Sequence, residues 1–159
     1  MSELYVKTLE RFVILGLVAI VGLTLANTFV RFAGHGGIYW AEEISRYTSI
    51  WVVFIAAGLG VRFWIHLNVD LFTVMLPAPV QRPLMVFCLL LTMVFQSVLI
   101  WFGTLLTISN HAQQSASLQM PMSFAYAAIP VGALIMFCET ARLIVREIRG
   151  QPREIFVPD

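Results

Sequence analysis

Few side chains in this sequence could carry chemistry: His35, His66 and His111, Cys88 and Cys138, and nine acidic residues, of which Glu42 and Glu43 are adjacent. Haem ligation within a membrane bundle needs histidines paired at similar depth on facing helices. His35 and His111 share one side of the topology derived below, which makes a haem- or quinone-binding anchor of a redox complex the alternative reading. His35 lies within Gly34-His35-Gly36-Gly37, however, His111 falls at a helix end, and His66 is alone on the opposite side. No HExxH, CxxC or GxxxxGK[ST] pattern occurs, so zinc, thiol and phosphate-loop chemistry have no foothold. An enzyme is not predicted, no cofactor is expected, and the two cysteines have no metal-ligand spacing.

A chain that carries ions or anions by itself needs ionisable residues or broken helices near the bilayer midplane, where each charge is expensive. None falls there. The intramembrane polar groups are Asn27, Thr28, Gln96 and Thr104, for which interhelical hydrogen bonds are expected. The absence of a midplane charge argues against a free-standing channel or carrier. Glu42 and Arg46, spaced i,i+4 in the first turns of a helix, can pair there.

The elements that position these residues are apolar helices. The chain is 59% hydrophobic and 12% charged, with a mean hydropathy of +0.84, whereas soluble domains carry about 25% charged residues. Its formal charge of +1 excludes the basic surface that recruits nucleic acid. Phe12 to Val30 carries no charge and would be about 28 Å long as a helix, close to the hydrocarbon thickness. Gly34 to Gly37 then break the helix. A second span is centred on Tyr47 to Val61, with Tyr39 and Trp40 at headgroup level and Arg46 and Arg62 able to snorkel. A third span runs from Pro83 to Ser109. A fourth begins at Pro121, is uncharged until Glu139, and continues through Arg142, Arg146 and Arg149 as a polar extension into water. Pro130 should kink it about one turn toward its N-terminal side.

The fold expected is therefore an all-α integral membrane protein of four transmembrane helices, with a short interfacial segment at 65–76. One compact bundle fills 1–150, and 151–159 forms a flexible tail. Lys7, Arg11, Arg62, Arg82, Arg142, Arg146, Arg149 and Arg153 fall on one side and only Arg31 and Arg46 on the other. The positive-inside bias places both termini in the cytoplasm of a bacterial inner membrane. Small-residue pairs Gly22 and Ala26, Ala56 and Gly60, and Ala128 and Gly132 offer close-approach ridges, for packing within the chain or against another subunit.

Particular motifs extend this reading. Trp40-Ala41-Glu42-Glu43-Ile44-Ser45-Arg46-Tyr47 is followed by Trp51, then Arg62 and His66-Leu67-Asn68-Val69-Asp70-Leu71. Gln114 precedes a small-residue stretch, then Met120-Pro121-Met122, Tyr126 and Ala128-Ile129-Pro130-Val131-Gly132. In this order and spacing, over about Phe12 to Arg146, the chain resembles the small membrane subunit of tripartite ATP-independent periplasmic (TRAP) transporters. Ala116-Ser117, where that family favours a proline, and Ser123, where an aromatic is common, depart from its pattern.

The resemblance implies a sodium-driven uptake system in which a periplasmic substrate-binding protein captures an organic acid, such as a C4-dicarboxylate or a sialic acid. A large multispan subunit then carries the acid by an elevator motion. The small subunit would bind no substrate and would widen the static scaffold against which the carrier moves. By the same resemblance Trp40, Glu42, Glu43, Arg46, Arg62, His66 and Asp70 become candidate subunit-interface or headgroup anchors. Gln114 becomes a candidate contact for the binding protein, and Pro130, Gly132, Gly22 and Gly60 shape and pack the helices.

Overall fold

A computed structural model describes residues 3–34, 36–62 and 78–149. The expected interfacial segment 65–76, with His66 and Asp70, lies outside these residues, as do His35 and the 151–159 tail. Five helices are described: α1 Glu3–Phe32, α2 Ala41–Arg62, α3 Ala78–Ser109, α4 Ser123–Tyr126 and α5 Ala128–Ile148. Four stretches are long and apolar enough to cross a membrane: Leu4–Phe32, Ala41–Arg62, Pro83–Ser109 and Ser123–Ile148. The chain is a multi-pass helical membrane protein.

Most hydroxyls in the spans bond back to their own helix, which lipid favours. The hydroxyls of Thr24, Thr28 and Thr104 donate to the carbonyls of Ile20, Thr24 and Ile100 at 2.7, 2.8 and 2.7 Å. Thr28 and Thr104 were expected to bond between helices. They bond within their own helix because a β-hydroxyl reaches the preceding turn without any partner. α1 ends where the glycine run was expected to end it: Gly34, Gly36 and Gly37 take φ of 82°, 78° and 86°, a left-handed region that other residues occupy at a cost. The Ile38 amide then donates to Asn27 Oδ1 at 2.6 Å, pinning the connector back onto α1.

α3 starts earlier than expected, at Ala78, so Pro83 falls inside the helix. The kink predicted near Pro130 is a break at Ala127, between α4 and α5. Proline has no N–H for the Tyr126 carbonyl and its ring crowds that group, so the break falls one turn upstream.

Among the described residues the main helix contacts form a chain and not a closed ring. α5 packs along both α2 and α3, while α1 packs along α2. The spatial order is therefore α1, α2, α5, α3, an open row. The most apolar 18-residue window of α1 has none of its residues buried, against 28% for α2 and 33% for the α4–α5 span. Phe29, Val94, Phe95, Trp101 and Ile108 all project from the row.

The central α2–α5 seam is tight because its glycines admit backbone contact. A Cβ on Gly132 would meet the backbone carbonyl carbon and oxygen of Phe54 at 3.0 Å each. A Cβ on Gly58 would strike Ile135, and one on Gly103 would lie 3.2 Å from the Pro130 nitrogen, across the α3–α5 seam. Of the ridges expected from sequence, Ala128 and Gly132 are buried and Gly60 is half-buried. Gly22 is exposed and meets nothing within 4 Å. Val61, Met85, Leu89 and Leu143 form a buried cluster where α2, α3 and α5 meet, near the end of the row where α2 and α5 finish.

Gly132→Ala is expected to destabilise the protein by about 1–3 kcal/mol, because the obstruction is backbone and no rotamer relieves it. Gly22→Ala should change nothing. Unfolding midpoints of both variants in one detergent check the pair, and equal midpoints would contradict the seam.

Candidate functional site

Polar side chains gather at the two ends of the row. At the end formed by the 33–40 and 110–122 connectors, Glu43 emerges from the first turn of α2 and is buried. Its Oε1 accepts the Tyr47 hydroxyl at 2.6 Å, and its Oε2 accepts the amides of Ser117 and Leu118, both at 2.9 Å. One carboxylate thus fastens the α3–α4 connector to α2 through charge-assisted bonds, the stronger class of hydrogen bond.

The connector is itself folded. The Ser115 amide donates to the Met120 carbonyl at 2.9 Å, the Met122 amide to that of Gln113 at 2.8 Å, and the Met120 amide to Ser115 Oγ at 3.1 Å. Gln119 makes the reversal at φ 52°. Trp51 Nε1 donates to the Phe124 carbonyl at 3.0 Å, tying α4 to α2.

At the opposite end Glu139 of α5 is 2% exposed. Arg62, the last residue of α2, approaches its Oε1 at 3.5 Å, and Arg142, one turn along α5, approaches Oε2 at 3.4 Å. Beside it, Gln96 Nε2 of α3 donates to Thr140 Oγ1 at 2.9 Å, and that hydroxyl donates to the Met136 carbonyl. Glu139 was expected to begin a polar extension into water. The structure corrects this: Glu139 is a buried counter-charge joining α5 to α2, because Arg62 reaches it before solvent does.

A third polar feature is a groove of about 790 Å³ between α1 and α2, at the connector end. Arg31 and Arg46 line it, with Glu42, Asn27, Ser45 and Ser49, above the apolar Ile20 and Leu23. Glu42 and Arg46 are exposed and form no ion pair with one another, contrary to the i,i+4 pairing expected from sequence.

The candidate anchors therefore divide. Glu43 fastens the connector, Glu42 and Arg46 line the groove, Arg62 serves the far end, and Trp40 is half-buried just before α2. Gln114 is exposed on the connector and bridges to Pro121. His111 lies 3.0 Å from Ser123 Oγ through Nδ1. The residue that sequence reasoning missed is Glu139. Its signal was available: an acid at the end of an apolar run with Arg142 at i+3, facing another run that ends in arginine.

Four apolar spans fastened at both ends, with no acid or base at mid-span among the described residues, define a multi-pass membrane component. Residues 20–150 match the family described as tripartite ATP-independent periplasmic transporters, DctQ component, and the chain belongs to that family. It is a small permease subunit of a TRAP transporter and so serves transport, not catalysis.

A Haemophilus influenzae protein bearing the name TRAP transporter small permease protein is 29% identical over 135 residues, 82% of this chain and 79% of that one. The C4-dicarboxylate TRAP transporter small permease protein DctQ of Rhodobacter capsulatus is 29% identical over 101 residues, 62% of this chain and 44% of the relative. The sialic acid TRAP transporter permease protein SiaT of Haemophilus influenzae is 26% identical over 119 residues, 75% of this chain but 19% of SiaT.

Glu43→Ala leaves the Ser117 and Leu118 amides without their acceptor. It is expected to speed deuterium exchange in the 115–118 segment by about tenfold or more, while α5 is unaffected. Glu43→Gln, which keeps one acceptor oxygen, should fall between. Unchanged exchange in Glu43→Ala would contradict the fastening role.

Proposed function

We propose that this chain widens the static scaffold of a larger multispan permease, in a sodium-coupled elevator that imports an organic acid delivered by a periplasmic binding protein. The observation that carries the reading is the open row. An open row leaves apolar helix faces outward, suited to extending a membrane frame sideways. Its ionisable groups lie toward the ends, and the buried mid-span Gln96 is bonded to Thr140, so no charged midplane site is offered to a solute. An elevator needs a frame that resists tilting, and end-fastened helices of bilayer length supply stiff area without adding polar surface.

Orientation follows the charge distribution: the Arg62, Glu139 and Arg142 end belongs in the cytoplasm with both termini, in a bacterial inner membrane, and the Glu43 end faces the periplasm. The exposed Gln114 connector is then on the side where a binding protein docks. SiaT supports the large partner, since the region similar to this chain is about one fifth of one polypeptide whose name is permease protein. Substrate identity resides in the partners, and the relatives' names span C4-dicarboxylate and sialic acid.

Affinity purification of a tagged copy from its host's membranes is expected to recover a larger multispan permease. Deleting the chain should abolish organic-acid uptake, and liposomes holding this chain alone should accumulate none. Recovery of the chain by itself, with uptake intact after its loss, would reject the proposal.

A further inference from the structure

The two basic residues that break the positive-inside pattern, Arg31 and Arg46, line the same groove between α1 and α2. They come from opposite walls, one from the last turn of α1 and the other from the second turn of α2. Neither guanidinium has a carboxylate within 4 Å among the described residues, and Glu42, in the same groove, has no cation that close.

Most other polar groups of the groove are already occupied. Thr24, Thr28 and Ser49 donate to carbonyls of their own helices, and Asn27 Oδ1 accepts the Ile38 amide. The donors left in the groove are the two guanidiniums, the Asn27 amide nitrogen and the buried Ser45 hydroxyl, and the anionic acceptor left is the Glu42 carboxylate. Below them Ile20 and Leu23 make the groove apolar toward the membrane interior.

Two cationic donors, one anionic acceptor and an apolar floor between two lipid-facing helices match a zwitterionic amphiphile. We propose that this groove is a phospholipid site that takes phosphatidylethanolamine. The phosphodiester oxygens accept from Arg31 and Arg46, since guanidinium geometry suits phosphate. The primary ammonium donates to Glu42, and an acyl chain runs over Ile20 and Leu23. A quaternary ammonium could not donate to Glu42, and a headgroup without a cation would face its repulsion. The site thus discriminates among phospholipids as well as retaining them. The bound lipid would fill the α1–α2 gap at headgroup level, where α1 has α2 as its main neighbour.

The test is native mass spectrometry of the full chain, stripped of native lipid in mild detergent. It is titrated in turn with phosphatidylethanolamine, phosphatidylcholine, phosphatidylglycerol and inorganic phosphate. Phosphatidylethanolamine should bind most tightly, and the double variant Arg31→Gln, Arg46→Gln should weaken it about tenfold or more. Glu42→Gln should bring phosphatidylethanolamine down to the level of phosphatidylcholine while leaving phosphatidylglycerol undiminished. These side chains are exposed, so helix content and unfolding midpoint should match the parent protein in every variant. Undiminished phosphatidylethanolamine binding by the folded double variant would overturn the proposal. Displacement of the lipid by an equal concentration of inorganic phosphate would assign the groove to a free anion. Loss of the lipid when a copurified protein partner is present would assign it to that partner.

Discussion

The α2–α5 seam is the contact on which the rest of this structure depends. Hydrophobic burial does not drive helices together in lipid, because acyl chains are as apolar as leucine. Association rests instead on close backbone approach and on polar groups that find partners. Gly132 against the Phe54 backbone, and Gly58 against Ile135, supply the first. Glu139 with Arg62 at one end of the seam, and Trp51 with the Phe124 carbonyl toward the other, supply the second. α1 then attaches along α2, and α3 along α5.

An open row suits the proposed task of enlarging a membrane frame. In a closed bundle, much of the helix surface would be spent on a core. Here the faces of α1 and α3 remain apolar and outward, while Glu139 is tied to Arg62 and Arg142 toward one end of the spans. Glu43 acts similarly at the other end, converting a connector of small polar residues into a defined cap. The two carboxylates sit at opposite ends of the layer, so they limit splaying without placing a charge at its centre, where the cost is greatest.

Much of this was legible in the sequence, for physical reasons that also mark where legibility stops. Four spans follow from uncharged runs of bilayer length, the end of α1 from its glycine run, and the break near Ala127 from Pro130. The spatial order of the helices was not legible, since apolar periodicity in lipid does not say which face meets protein. Glu139 and Arg62 are 77 positions apart, and an acid at the end of an apolar run looks the same whether it meets water or an arginine. Glu43 was singled out by motif, but its partners are backbone amides of Ser117 and Leu118, which have no side-chain signature. Glycine spacing identified Gly132 correctly as a packing residue in α5, yet in α2 the glycine that meets α5 is Gly58, which lay outside the expected Ala56 and Gly60 pair.

The most direct test of this architecture is a distance across it. Spin labels at Leu17 in α1 and Phe95 in α3, both exposed near mid-helix, report the separation of the two outer helices in lipid nanodiscs by pulsed electron resonance. With helix axes about 8–10 Å apart in successive contacts, the row places these backbones about 20 Å apart or more. A separation of about 10–14 Å, that of neighbouring or diagonal helices in a closed four-helix bundle, would contradict it.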